Sequence, residues 1–207
     1  MTASQQERRA LVETFRAVGP DAPTLCGSWT TRDLAAHLVI RERRLDATPG
    51  ILIPALAGYT AKVQGQLTRS KCWDELVDLV AAGPPLYSPF KALDSVANVG
   101  EMFIHHEDVR RAAEGWQPRA LDDSIVTALR RPLSLMSRLT LSKAPAKVVL
   151  RTPAGEQIAA VGRGQTVTVT GEPPELLLFV AGRDAARVDF GAEPGTVAAV
   201  RAARRSL

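Results

Sequence analysis

One spacing restricts this chain more than any other. Within Asn98-Val-Gly-Glu-Met-Phe-Ile-His-His-Glu-Asp108, Glu101 and His105 stand four residues apart. On a helix that spacing stacks a carboxylate and an imidazole on one face. The pair is half of a divalent-metal site and needs at least one further ligand from elsewhere in the chain. The chain has 3 histidines. His106 is rotated by about 100° from His105 on a helix and cannot share its face. The remaining candidate is His37, far upstream in Trp29-Thr-Thr-Arg-Asp-Leu-Ala-Ala-His37-Leu. For His37 to complete the set, its helix must lie against the helix of Glu101 and His105, both projecting inward as in bundle metal sites.

The chain between these points reads as helical. Leu11, Phe15 and Val18 form an apolar stripe on a first helix over Ser4–Val18, which Gly19-Pro20 ends. Thr30-Thr-Arg-Asp33 has the form of a capping box, with Asp in place of the usual Glu. It opens a second helix from Thr31 to about Ala47, with Leu34, Leu38 and Leu45 on its apolar face and His37 at that face's border. Trp29, just before the cap, has the position of a staple. A third helix is expected over Ile51–Leu67 despite Pro54 and Gly58, and a short one over Trp73–Ala82 with Asp74 and Glu75 favouring its first turn. Gly83 to Pro89 is a loop. A long helix from about Lys91 to Ala113 then carries Val96, Val99, Phe103 and Ile104 as apolar surface, with Glu101, His105 and Asp108 along one side.

The pattern changes after Gly115-Trp-Gln-Pro118. A helix over Asp122–Leu141, interrupted or kinked at Pro132, leads into three short β-type runs. These are Lys147–Thr152, Gln157–Val161 and Thr166–Thr170, separated by glycine turns. Pro173–Gly182 starts with proline and stops with glycine, as helices do. Val188–Phe190 reads as a short strand and Gly195–Arg204 as a last helix. The expected architecture is α+β: a helical domain over residues 1–118 and a small α+β domain over 119–207.

Taken singly, each site residue has an ordinary reading. His37 is a half-buried helix residue, Glu101 a surface carboxylate, and His105-His106 a solvated pair. Together, His37, Glu101 and His105 supply two nitrogens and one oxygen and leave a position open, which is the form of a catalytic metal site rather than a structural one. Zinc suits these ligands, although nickel, iron and manganese accept the same types. Asp108, three residues past His105, is placed to take the free ring N–H of a ligand histidine; its ordinary reading is a partner for Arg111 or Arg41. Arg41 and Arg44, four and seven residues after His37, could bind an anionic group beside the metal. The same two residues, with Arg43, also complement the C-terminal end of their helix. Cys26 reads as a small buried residue.

The motif Trp29-Thr-Thr-Arg-Asp-Leu-Ala-Ala-His37-Leu, followed by Glu101-Met-Phe-Ile-His105-x-x-Asp108, resembles the N-terminal domain of mycothiol-dependent maleylpyruvate isomerases. These belong to the DinB/YfiT-like metal-binding four-helix bundles, and the likeness is nearest to an uncharacterised actinobacterial metal-binding branch. It covers roughly residues 5 to 115. The resemblance implies His37, Glu101 and His105 as the zinc ligands and mycothiol as a thiol co-substrate. A small electrophilic substrate would then be isomerised or would accept the thiol. It also implies a sterol-carrier-like fold for the second domain. The alternative is a metal-binding module without chemistry, a sensor or a binder.

Composition narrows the partners. Lys and Arg total 26 against 22 Asp and Glu, a net charge of +4, which is too slight and too scattered to argue for nucleic acid. The apolar windows, such as Gly50–Tyr59 and Leu176–Ala181, fall short of the about 20 residues that span a bilayer, and no apolar segment follows the polar start. Two cysteines without metal spacing suit a reduced, cytoplasmic setting. Arg201, Arg204 and Arg205 read as a solvated helix end. Neither a phosphate-binding loop nor a serine-hydrolase elbow occurs.

Overall fold

The computed structural model describes residues 1–51, 53–92 and 98–203. Val96 and the start of the expected Lys91–Ala113 helix, Leu52, and Arg204 and Arg205 therefore lie wholly or partly outside the described residues. The chain is mixed helical with one four-stranded sheet, an α+β architecture, and divides into two compact units, Met1–Arg119 and Ala120–Leu207.

In the first unit, α1 (Ala3–Val18) begins at a capping box of Thr2 and Gln5 and ends at Gly19, whose φ of 78° needs a residue without Cβ. Helix α2 (Thr31–Arg43) begins where Asp33 Oδ2 accepts from the Thr30 N–H at 3.0 Å. It stops four residues short of the expected Ala47. Arg44 leaves helical geometry at φ −119°, ψ 74°, and Thr48 Oγ1 donates to the Arg44 carbonyl at 2.9 Å. Leu45 is consequently off the apolar face and 43% exposed. The next helix starts later than Ile51. Two single 3₁₀ turns, Thr48–Ile51 and Pro54–Leu56, precede α3 (Ala57–Ser70), because Pro54 lacks the N–H that a continuous helix would need there. Helix α4 (Trp73–Ala82) has Glu75 accepting from the Cys72 N–H. A short α5 (Pro89–Ala92) precedes α6 (Val99–Arg110).

Helix α1 packs on α6 and α4, and α2 packs on α3 and α4. Their shared core holds Leu11 and Phe15, Leu34 and Leu38, Leu76 and Val80, and Met102. Each such side chain contributes about 1.5–3 kcal/mol when fully buried. The Phe15 ring meets Trp73 edge-on at 5.6 Å. Helix α6 is buried on every side from Met102 to Val109, so each ionisable residue on it must find a partner.

In the second unit, α7 (Asp123–Thr140) runs through Pro132 as one helix. Strands β1 (Lys147–Arg151), β2 (Gln157–Val161), β3 (Thr166–Thr170) and β4 (Asp189–Gly191) lie in the order β2-β1-β3-β4, with β1 and β3 parallel and the outer pairs antiparallel. Helix α8 (Pro173–Val180) buries Leu176 through Val180 completely and packs on α7; α9 (Pro194–Ala203) closes the described chain. No described helix is long and apolar enough to cross a membrane.

Candidate metal centre

Helices α2 and α6 carry their polar residues to one place. Glu101 Oε1 is 3.2 Å from His105 Nε2 and 3.8 Å from His37 Nε2. The two imidazole rings meet edge-on at 5.3 Å. One donor atom from each of His37, Glu101 and His105 lies within 4.8 Å of the other two. Two imidazole nitrogens and one carboxylate oxygen on this scale suit a divalent ion such as zinc. Both histidines are buried, while the Glu101 side chain keeps 23% of its surface, so solvent reaches the cluster from the carboxylate side.

The ring nitrogens of His105 are both engaged. Nδ1 stands 2.9 Å from Asp108 Oδ2, opposite the Nε2 contact with Glu101. Two carboxylates facing two ring nitrogens favour the imidazolium. Burial opposes that charge, but the Asp108 hydrogen bond, together with Cys26 and Glu101, outweighs it and holds His105 well above the usual histidine range. Burial dominates at His37 and pushes its imidazole down, against the hydrogen bond it gives Glu101. Burial also opposes ionisation of Glu101; the Arg41 charge and the bonds from both histidines overcome it and keep the carboxyl well below its usual range. Without metal, the centre therefore holds one neutral imidazole, one imidazolium and ionised Glu101.

The loop between α1 and α2 forms the wall. The Trp29 ring lies 5.2 Å from that of His37. Leu25 N–H donates to the Asp108 carbonyl at 3.0 Å, and Cys26 Sγ lies 3.1 Å from Asp108 Oδ2 and 4.0 Å from His105 Nδ1. Cys26, His105 and Asp108 thus make a second close trio. Asp108 meets both Cys26 and His105 through Oδ2.

No protein-family model matches the chain. No curated protein matches it in sequence. Among solved structures, it is similar to that of the mycothiol-dependent maleylpyruvate isomerase, with a TM-score of 0.64, 16% identity, and coverage of 93% of this chain and 92% of that one. A histidine-to-alanine mutant of that isomerase matches with a TM-score of 0.61 and 15% identity over the same shares. The chain has the fold of this isomerase.

Within the isomerase fold, the other residues singled out in the sequence go to different places. Arg41 reaches the cluster, with Nε 3.5 Å from Glu101 Oε1. Arg44 does not: it follows the end of α2 and pairs with Asp46 at 2.7 Å, at the surface. His106 faces α1, 2.9 Å from Thr14 Oγ1 and 3.6 Å from Glu7. On that side Arg119 joins the buried carboxylates of Glu7 and Glu107, and Arg111 also pairs with Glu107 at 2.6 Å. Cys26 is the site neighbour that the sequence conceals. Its one signal is its place three residues before Trp29, in the loop that leads to the capped helix.

Proposed function

We propose that this chain is a mycothiol-related metalloprotein of the isomerase's family, in which His37, Glu101 and His105 hold a divalent metal, most suitably zinc. The convergence of these three donors from α2 and α6 carries the reading, and the shared fold supports it. On this reading residues 1–118 form a DinB-like four-helix bundle, and residues 119–207 a small α+β domain of the sterol-carrier kind. The chain acts in the cytoplasm, where Cys26 and Cys72, both free thiols, stay reduced.

A metal in this centre would supply an open position at which a thiol such as mycothiol becomes thiolate at neutral pH, ready for transfer to, or isomerisation of, a small electrophile. The chain's own residues prepare that position. Burial favours the neutral form of His37, the form that binds a metal. Asp108 fixes the ring plane of His105 by accepting from Nδ1. Trp29 covers one side of His37 and narrows the access of water.

The test is to purify the protein, count metal by mass spectrometry, and titrate mycothiol into the cobalt-substituted form while following the visible spectrum. Metal at one equivalent, lost in His37→Ala and His105→Ala, with a spectrum that shifts on adding the thiol, is the expected result. Absence of metal, or metal indifferent to both substitutions, sinks the reading. Metal that ignores the thiol leaves the binder or sensor.

A further inference from the structure

Arg41 follows His37 by one turn of α2, and its side chain is only 9% exposed. A guanidinium so buried needs its charge compensated and its donors filled. The other two buried arginines of this unit meet that need with fully buried carboxylates: Arg8 with Glu42 and Arg111 with Glu107. Arg41 differs. Nη1 donates to Asn98 Oδ1 at 2.7 Å, a neutral partner. The Phe90 ring lies 4.2 Å from the guanidinium carbon. Its one carboxylate among the described residues is Glu101, at 3.5 Å from Nε, which His37 and His105 also claim. Among the described residues Nη2 has no acceptor.

The support around Arg41 is rigid. Asn98 is completely buried and donates Nδ2 to the Phe90 carbonyl at 3.0 Å, so one amide fixes both the guanidinium and the residue stacked on it. Asn98 makes no side-chain cap for α6; its amide serves Arg41 and Phe90 instead. A held planar fork with a spare donor and a shared counter-ion is organised for a second anion.

We propose that Arg41, held by Asn98 and stacked on Phe90, is a carboxylate-binding subsite beside the His37–Glu101–His105 cluster, and that it engages its ligand when the charge of Glu101 is drawn elsewhere. This deepens the functional reading by giving the electrophilic substrate a carboxylate group. The subsite itself requires no metal.

Glu101→Gln isolates it, because glutamine keeps the shape of the carboxylate and removes its charge. Acetate is titrated calorimetrically into the metal-free wild type, Glu101→Gln, and the double variants Glu101→Gln/Arg41→Gln and Glu101→Gln/Arg41→Lys, with folding checked by circular dichroism. A charge-assisted hydrogen bond makes Glu101→Gln bind acetate about tenfold more tightly than the wild type. The gain disappears with Arg41→Gln and shrinks with Arg41→Lys, which keeps the charge but loses the fork. The same titration with 2-mercaptoethanol shows no gain. The subsite is overturned if Glu101→Gln gains nothing, if the gain survives both changes at Arg41, or if only the thiol gains. Zinc binding by the wild type is measured separately. A protein that takes no zinc, yet gains acetate in Glu101→Gln, refutes the metal reading and keeps the subsite; zinc without the gain does the reverse.

Discussion

Glu101 and His105, one turn apart on α6, meet through Oε1 and Nε2 at 3.2 Å. In the free centre the contact is an ion pair, since His105 is held in its charged form by carboxylates on both sides. A metal bound at that nitrogen must displace the proton.

Metal uptake at pH 7 is therefore expected to release about one proton per ion. His105, with its pKa raised above the usual value, gives it up; His37, with its pKa lowered, has none to give. Calorimetry of zinc binding in buffers of different ionisation enthalpy measures the number. A value near zero or near two contradicts these proton assignments.

The two adjacent histidines should separate cleanly. His105→Ala or His37→Ala is expected to weaken zinc binding by more than the roughly 10–100-fold typical of outer partners. His106→Ala leaves zinc affinity unchanged and instead lowers stability by about 1 kcal/mol, through the lost Thr14 hydrogen bond. Competition with a chromophoric chelator and chemical denaturation report the two effects.

Asp108→Asn keeps the shape of the group that orients His105 but loses its charge. Zinc affinity should fall by about 10–100-fold. Cys26→Ser, which retains a donor toward Asp108 Oδ2, should cost less than Cys26→Ala. Equal losses for serine and alanine would show that the thiol's hydrogen bond has no part in holding Asp108.

Acid should act through Glu7 and Glu107. Burial raises both carboxyls, but His106 and Arg119 at Glu7, and Arg119 and Arg111 at Glu107, prevail and lower them below their usual value of 4.5. Groups depressed in the folded state stabilise it fully above about pH 4.5 and lose that contribution as pH falls through their folded values. Arg119→Met leaves Glu7 without its arginine, takes one of three from Glu107, and is expected to cost about 3–5 kcal/mol. The acid midpoint of the circular dichroism signal should move upward in that variant; an unchanged midpoint would remove Arg119 from the account.

The sequence makes some of this legible and hides the rest for physical reasons. Glu101, His105 and Asp108 can be placed together because helical spacing alone sets their common face. The boundaries of α4, β2 and β3 follow from local caps and turns in the same way. Arg41 and Arg44 look equivalent on a continuous helix, but only Arg41 precedes the end of α2, an end set by Thr48 rather than by any glycine. The late start of α3 turns on whether Pro54 sits inside a helix or begins one, which apolar composition does not decide. Cys26 reaches Asp108 across 82 positions of chain, and local periodicity carries no information about such a contact.

The ion network around Arg119 also bears on where the helical unit can be cut. Its apolar core draws on α1, α2, α4 and α6 and is complete by Val109. Yet Arg119, the last residue of that unit, neutralises Glu7 on the first helix and Glu107 on α6. A fragment ending at Gln117 would retain the whole core, leave Glu107 to Arg110 and Arg111, and take from buried Glu7 its arginine. The shortest autonomous piece is thus delimited by electroneutrality rather than by hydrophobic closure, and the residue that delimits it lies in an irregular segment that carries no core side chain.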